Sequence, residues 1–173
     1  HGFSGLTLRT AGSQSVRARD TTATAITGIL AGISVTPGNA TGLSVETTDP
    51  FVVGTSHSVN VTAKDAFGNV ATTYRGRVRF TSTDPAVTLP ADYTFTSTDT
   101  GVHHFSRGLV FRTVGTQAVR ARDIVTTSIT GVQSLTVLPG PAAALRVETS
   151  TPYAAGDEHS ITVTALDSYG NTA

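Results

Sequence analysis

Histidines, turn-borne aspartates and alternating arginines are the groups in this sequence with chemistry to offer. The histidines are His1, His57, His103, His104 and His159. A metal site needs three or four ligands converging at bonding distance. His57 and His159 occupy one position of an internal repeat, and adjacent His103 and His104 point to opposite faces of any strand that carries them. No metal ligand is assigned on that basis. Asp49 with Asp84 and Asp92 with Asp99 are carboxylate pairs, but each aspartate sits beside Pro, Thr or Ala in a turn-like setting and not as a positioned acid and base. There is no G-x-S-x-G elbow for a serine nucleophile and no cysteine. The sequence therefore assigns no catalytic residue and no cofactor-binding residue, and the expectation is a protein that is not an enzyme.

Asp65 with Asn69, its repeat Asp167 with Asn171, and Asp123 carry oxygens of the type calcium takes. Calcium wants six to eight oxygens, and no acidic cluster accompanies these residues. An aspartate opening a turn instead accepts backbone N–H groups, while Gly68 and Asn69 supply left-handed backbone. A turn is the expectation, with calcium the lesser alternative. Asn39-Ala40-Thr41 and Asn60-Val61-Thr62 match the glycan acceptor pattern.

The arginines are the more suggestive group. Arg75, Arg77 and Arg79 alternate along one segment and Arg120 and Arg122 along another, repeated in part by Arg17 and Arg19. If the two segments are neighbouring strands, the five form one interaction face. Like charges across strands destabilise unless acidic groups intervene, and Asp123, Glu46 or a partner's anion are the candidates. Such a face suits a neighbouring chain, an acidic glycan or another surface polymer; the alternative is a solvated face whose arginine stems cover Thr and Ser.

The elements that position these residues follow from composition and repetition. Of 173 residues 38% are apolar and 14% charged, enough to bury a core and too apolar for a disordered chain. Thr, Val, Ser, Ala and Gly dominate, with one lysine, Lys64, and no Trp, Met or Cys. Stiff β-branched residues punctuated by Gly and Pro read as all-β. Zero formal charge removes the electrostatic drive toward nucleic acid or an anionic membrane, so neither is an expected partner. No run of 18 or more apolar residues exists, and no membrane insertion is expected. Residues 1–20 carry Arg17 and Arg19 in place of a signal-peptide apolar core, so a secreted parent would carry its signal upstream of His1.

GLTLRTAGSQSVRARD at Gly5 to Asp20 returns as GLVFRTVGTQAVRARD at Gly108 to Asp123, and the stretch Val35 to Ala71 returns as Val137 to Ala173. The two spacings differ by one residue, which is accounted for by one residue deleted in the later copy relative to the stretch between Gly28 and Val35. The spacing, roughly 100 residues, is that of a self-contained domain and not of a solenoid layer. The expected organisation is the C-terminal part of one repeat in 1–37, a complete repeat in 38–139 and the N-terminal part of a further one in 140–173. Neither end segment is expected to be a complete folding unit.

Within the complete repeat, period-two alternation predicts strand A at Leu43 to Thr47, B at Val59 to Lys64, C at Arg77 to Thr81, a D and E pair over Val87 to Phe95 and His103 to Phe105, F at Gln117 to Asp123 and G at Ile129 to Leu138. About seven short strands with turns every 8 to 12 residues are the pattern of an immunoglobulin-like β-sandwich, in which C and F are neighbours. ITVTALDSYGNTA, YRGRVRFTSTDPAVTLPADYTFTSTDTGVHHF and RTVGTQAVRARD together resemble the bacterial immunoglobulin-like tandem repeats of invasin and intimin type, and are similar to filamin repeats in the D-x-x-G-N turn and V-x-F pattern. The resemblance implies a stalk, filament, adhesin arm or spacer in a large surface or secreted protein. It implies an extracellular or cell-surface location, with neighbouring repeats, copies of the same chain, or a surface glycan or protein as partners.

Overall fold

A computed structural model describes residues 1–173, with strands and no helix. The middle of the chain forms two sheets. In the first, β3 (Gly42–Thr47), β5 (His57–Lys64) and β8 (Val102–Leu109) run antiparallel in the order β3-β5-β8. In the second, β4 (Phe51–Val52), β10 (Thr130–Leu138), β9 (Gly115–Asp123), β6 (Arg77–Ser82) and β7 (Tyr93–Thr94) follow in that order, all antiparallel except β4 on β10.

Alternation decides which side chains turn inward. Leu43 and Val45 on β3, Val59, Val61 and Ala63 on β5, Val78 and Phe80 on β6, Val119 and Ala121 on β9, and Leu135 and Val137 on β10 join a single buried cluster fed by both sheets. The sheets thus share one core, the arrangement of a β-sandwich. Phe51 and Phe111, both wholly buried, meet edge to face at 5.1 Å, and Phe80 meets Phe105 at 4.9 Å. Each such ring contributes about 1.5–3 kcal/mol by leaving water.

Two elements differ from the expected strands. The first strand is divided: β3 ends on the three-stranded sheet, and after Pro50 the chain crosses to the other sheet as β4. Proline has no N–H for a ladder, so pairing ends there. Side chains fasten the crossing. Gln133 pairs with both backbone groups of Thr47, accepting at 2.7 Å and donating at 3.1 Å, and Asp49 Oδ1 accepts Thr136 N–H at 2.8 Å. The segment expected as strand D also departs from expectation. Val87 and Leu89 flank only an isolated bridge from Thr88 to Val110, between Pro85 and Pro90, while β7 pairs with β6 and not with β8.

Two hairpins flank this core. β1 (Gly12–Arg19) pairs with β2 (Thr27–Val35), and β11 (Ala144–Thr149) with β12 (Ile161–Leu166). Arg17 faces Ile29 as Arg120 faces Val132, and Val147 faces Val163 as Val45 faces Val61. The register of β1 on β2 shifts between Gln14 and Val16, opposite a segment in which Gly32 has φ 73°. That bulge takes up the one extra residue of the first copy. Leu145, Val147, Ile161 and Val163 are exposed, whereas Leu43, Val45, Val59 and Val61 at the same repeat positions are buried, because β11 and β12 have no second sheet against them.

Candidate interaction surfaces

β6 and β9 are adjacent, with Arg79 directly opposite Arg122 and Thr81 opposite Arg120. Arg77, Arg79, Arg120 and Arg122 all lie exposed on this sheet. The carboxylate that intervenes is Asp92, just before β7. Arg79 grips it through Nε at 3.0 and 3.2 Å and Nη2 at 2.7 Å, and Arg77 Nη2 lies 3.3 Å away. The Arg79 guanidinium holds the Asp92 carboxyl below its ordinary range. Neither expected counterion serves: Asp123 is buried, and Glu46 lies on β3 of the other sheet, where it accepts the Ser44 hydroxyl.

Arg75 precedes β6 and turns its guanidinium onto the carbonyls of Tyr74, at 2.6 Å, and Thr72, at 3.1 Å. Arg122 Nε donates to Thr127 O at 3.2 Å, and Arg19 Nε donates to Thr24 O at 3.1 Å in the first copy. Arg120 and Arg122 have no carboxylate partner. With Arg79, Thr81, Ile124 and Thr127 they line an open groove of about 460 Å³. Chemically the groove offers guanidinium donors and hydroxyls to an anionic, oxygen-rich ligand.

The aspartates considered for calcium have their oxygens engaged by donors. Asp65 Oδ1 accepts the N–H of Phe67 at 2.8 Å and of Asn69 at 2.9 Å, and Oδ2 accepts Gly38 N–H and Asn69 Nδ2 at 2.9 Å. The Asn69 amide foremost, against the effect of burial and aided by these N–H groups, lowers its pKa to about 2. Gly68, with φ 84°, makes the left-handed step of this turn. Asp123 Oδ1 accepts Val125 and Thr126 N–H at 2.8 Å, and Oδ2 takes the Tyr74 hydroxyl at 2.5 Å. No three His, Asp or Glu side chains are placed to share a metal ion. His57 bonds Thr48 and Thr55, His104 bonds Asn60, and His159 lies 3.3 Å from Ser150.

A cluster absent from the sequence reading centres on His103. Its Nδ1 lies 2.8 Å from Asp99 Oδ1, its ring stacks on Tyr93 at 3.6 Å, and Asp99 also takes the Tyr93 hydroxyl at 3.1 Å and Thr96 N–H at 2.5 Å. Burial works against the Asp99 charge, but the Thr96 N–H, His103, and the Thr96 and Tyr93 hydroxyls outweigh it and lower its pKa to about 2. β7 and β8 are edge strands of different sheets, so this cluster stitches the open side of the sandwich. The signal was the i, i+4 pair Asp99 and His103 spanning the Thr100-Gly101 turn.

The chain is all-β, and its two central sheets share one core, consistent with a β-sandwich. No protein-family model and no curated protein sequence matches the chain.

Proposed function

We propose that the chain is a non-catalytic array of immunoglobulin-like repeats from an extracellular bacterial stalk, filament or adhesin arm, with repeats meeting at 37/38 and 139/140. One observation carries this reading: the flanking hairpins reproduce strand pairs of the central sandwich in sequence and in pairing partners, β1 and β2 those of β9 and β10, and β11 and β12 those of β3 and β5. A repeated folding unit joined by a short linker builds length by addition. The linker around Pro139-Gly140-Pro141 is too short and proline-rich to act as a free coil. The partners in this reading are neighbouring repeats and copies of the same chain.

Small-angle X-ray scattering on chains of two, three and four complete repeats tests it. The maximum dimension is expected to grow by about 40 Å per repeat, from strands of about ten residues at 3.3 Å rise plus turns. Dimensions that do not grow with copy number refute a stalk.

The groove at Arg79, Arg120 and Arg122 favours a second reading, an adhesive module for an acidic surface glycan or protein. Replacing Arg77, Arg79 and Arg120 by Ser is expected to abolish retention on an acidic polysaccharide column; unchanged retention and assembly would sink it.

A further inference from the structure

Asn69 and Asn171 bond beyond their own turns. Asn69 Nδ2 donates to Arg9 O at 2.8 Å and its Oδ1 accepts Ala11 N–H at 2.9 Å. Asn171 Nδ2 donates to Arg112 O at 2.9 Å and its Oδ1 accepts Val114 N–H at 3.4 Å. Arg9 and Ala11 hold the same repeat positions as Arg112 and Val114, in Arg-Thr-Ala-Gly and Arg-Thr-Val-Gly. The aromatic residue two places earlier joins in both times, with the Arg9 guanidinium 5.6 Å from the Phe67 ring and that of Arg112 5.9 Å from the Tyr169 ring. The chain thus contains the same set of contacts twice, at its two joints.

An asparagine amide offers one acceptor and two N–H donors. At the first joint one donor goes to Arg9 O, the other to the Asp65 carboxylate, and the acceptor to Ala11 N–H. Asp65 therefore fixes which way the amide faces, since its carboxylate can only accept. Its Oδ2 also takes the N–H of Gly38 in the linker, as Asp167 takes that of Gly140 at 3.2 Å. One aspartate and one asparagine thereby tie three backbone segments together: the turn, the linker and the loop of the preceding repeat. At the second joint the approach is close enough that a Cβ on Gly54 would lie 2.5 Å from Tyr169 Oη.

We propose that the Asp-x-x-Gly-Asn turn is a docking key, by which each repeat grips the backbone of the Arg-Thr-x-Gly loop of the repeat before it, so that successive repeats meet at one fixed angle. The proposal rests on the repeat-array reading and adds the element that sets its geometry. Because the key reads backbone groups, the third residue of the loop is free to differ, as Ala11 and Val114 do.

The chain has no cysteine, so Thr24→Cys and Ser97→Cys, both at exposed positions, provide one spin-label pair across the first joint of the full chain. Electron–electron distance measurements are expected to give one narrow distribution. Asn69→Ala removes the key, and Ala11→Pro removes the N–H it reads from outside the central sandwich. Each is expected to broaden the distribution about twofold, toward the relative motion usual for repeats without a firm interface, while the unfolding midpoint of the Ala11→Pro chain stays at the parent value. Should Asn69→Ala unfold the sandwich, Ala11→Pro decides alone. A parent distribution that is already broad, or an Ala11→Pro chain with the parent's mean and width, overturns the docking key. The stalk reading is judged separately by growth with copy number, which a flexible joint would still allow.

Discussion

Replacing Tyr74 by Phe isolates one buried hydrogen bond. Tyr74 and Asp123 are 8% and 3% exposed, and the hydroxyl donates to Asp123 Oδ2 at 2.5 Å. The ring itself packs edge to face on Phe95 at 5.0 Å, so phenylalanine keeps the packing and loses only the oxygen. Asp123 Oδ1 retains its bonds from Val125 and Thr126, while Oδ2 is left buried without a donor. A hydrogen bond to a charged group contributes about 1.5–3 kcal/mol, so a loss near 2 kcal/mol is expected. For a unit of this size that is a fall of about 10 °C in Tm, readable by calorimetry. Asp123→Asn, whose amide can still meet the hydroxyl, should cost less than Tyr74→Phe, and the double variant should fall short of the sum. Burial opposes the Asp123 charge, but the Tyr74 hydroxyl and the two N–H groups win and hold its carboxyl below the ordinary range. Its contribution is therefore complete above the unfolded carboxylate value of about 3.9 and is lost as pH falls through the lower folded value. Tyr74→Phe should flatten that acid loss. A Tyr74→Phe chain within about 0.5 kcal/mol of the parent at neutral pH, the range of ordinary surface substitutions, would refute the reasoning.

Asp84, 2% exposed, accepts the N–H groups of Ala86, Arg112 and Thr113 and the Thr113 hydroxyl. Asp84→Ala orphans these donors and is expected to cost about 3 kcal/mol in urea unfolding. Asp92→Asn removes the counterion of Arg77 and Arg79, whose side chains are 52% and 60% exposed, and is expected to cost at most about 1 kcal/mol at low salt and nothing measurable in molar salt. Asp65, with a pKa lowered to about 2 chiefly by Asn69, should keep its turn intact from neutrality down past the ordinary carboxylate range. The Asn69 side-chain amide resonances should then titrate with a midpoint near that value, and a midpoint near the ordinary one would contradict the assigned bonds.

Strands whose inward residues alternate strictly were legible in the sequence: β3, β5, β6, β9 and β10 fall where Val, Leu, Ala and Phe recur at every second position. The extra residue of the first copy was legible from the change in spacing, and its form as a bulge beside Gly32 was not, because alignment counts residues and does not assign pairing. The crossing to β4 was hidden for a related reason. Pro50 announces that a ladder stops, while the clamp of Gln133 on Thr47 that redirects the chain spans distant parts of the sequence. Asp92 is not legible as the arginine counterion because the sequence pattern pairs the segment of β7 with that of β8; in the structure β7 lies on β6, and the residue just before it reaches Arg79.

The Asp-x-x-Gly-Asn turn shows how a correct local account conceals a longer-range one. Asp65 and Gly68 are explained within five residues, by N–H groups to accept and a φ of 84°. Asn69 is not, since its backbone N–H goes to Asp65 and Gly68, not Asn69, makes the left-handed step, which leaves its side-chain oxygen and one side-chain N–H unspent within the turn. Comparison of the copies separates these demands. Half-buried Ser44 and exposed Ser56 become Arg146 and Glu158, and Ala11, whose backbone N–H meets Asn69, becomes Val114, yet Asn69 and Asn171 are the same residue. If the amide were needed only to close the turn, glycine or aspartate would serve there as well as asparagine. Asn171→Gly therefore separates the two accounts: turn closure alone predicts no change in the exchange rate of Val114 N–H, whereas the docking key predicts faster exchange of Val114 with no change at Tyr169 N–H, which Asp167 holds at 2.9 Å. Unchanged exchange at Val114 would return the turn to its purely local role.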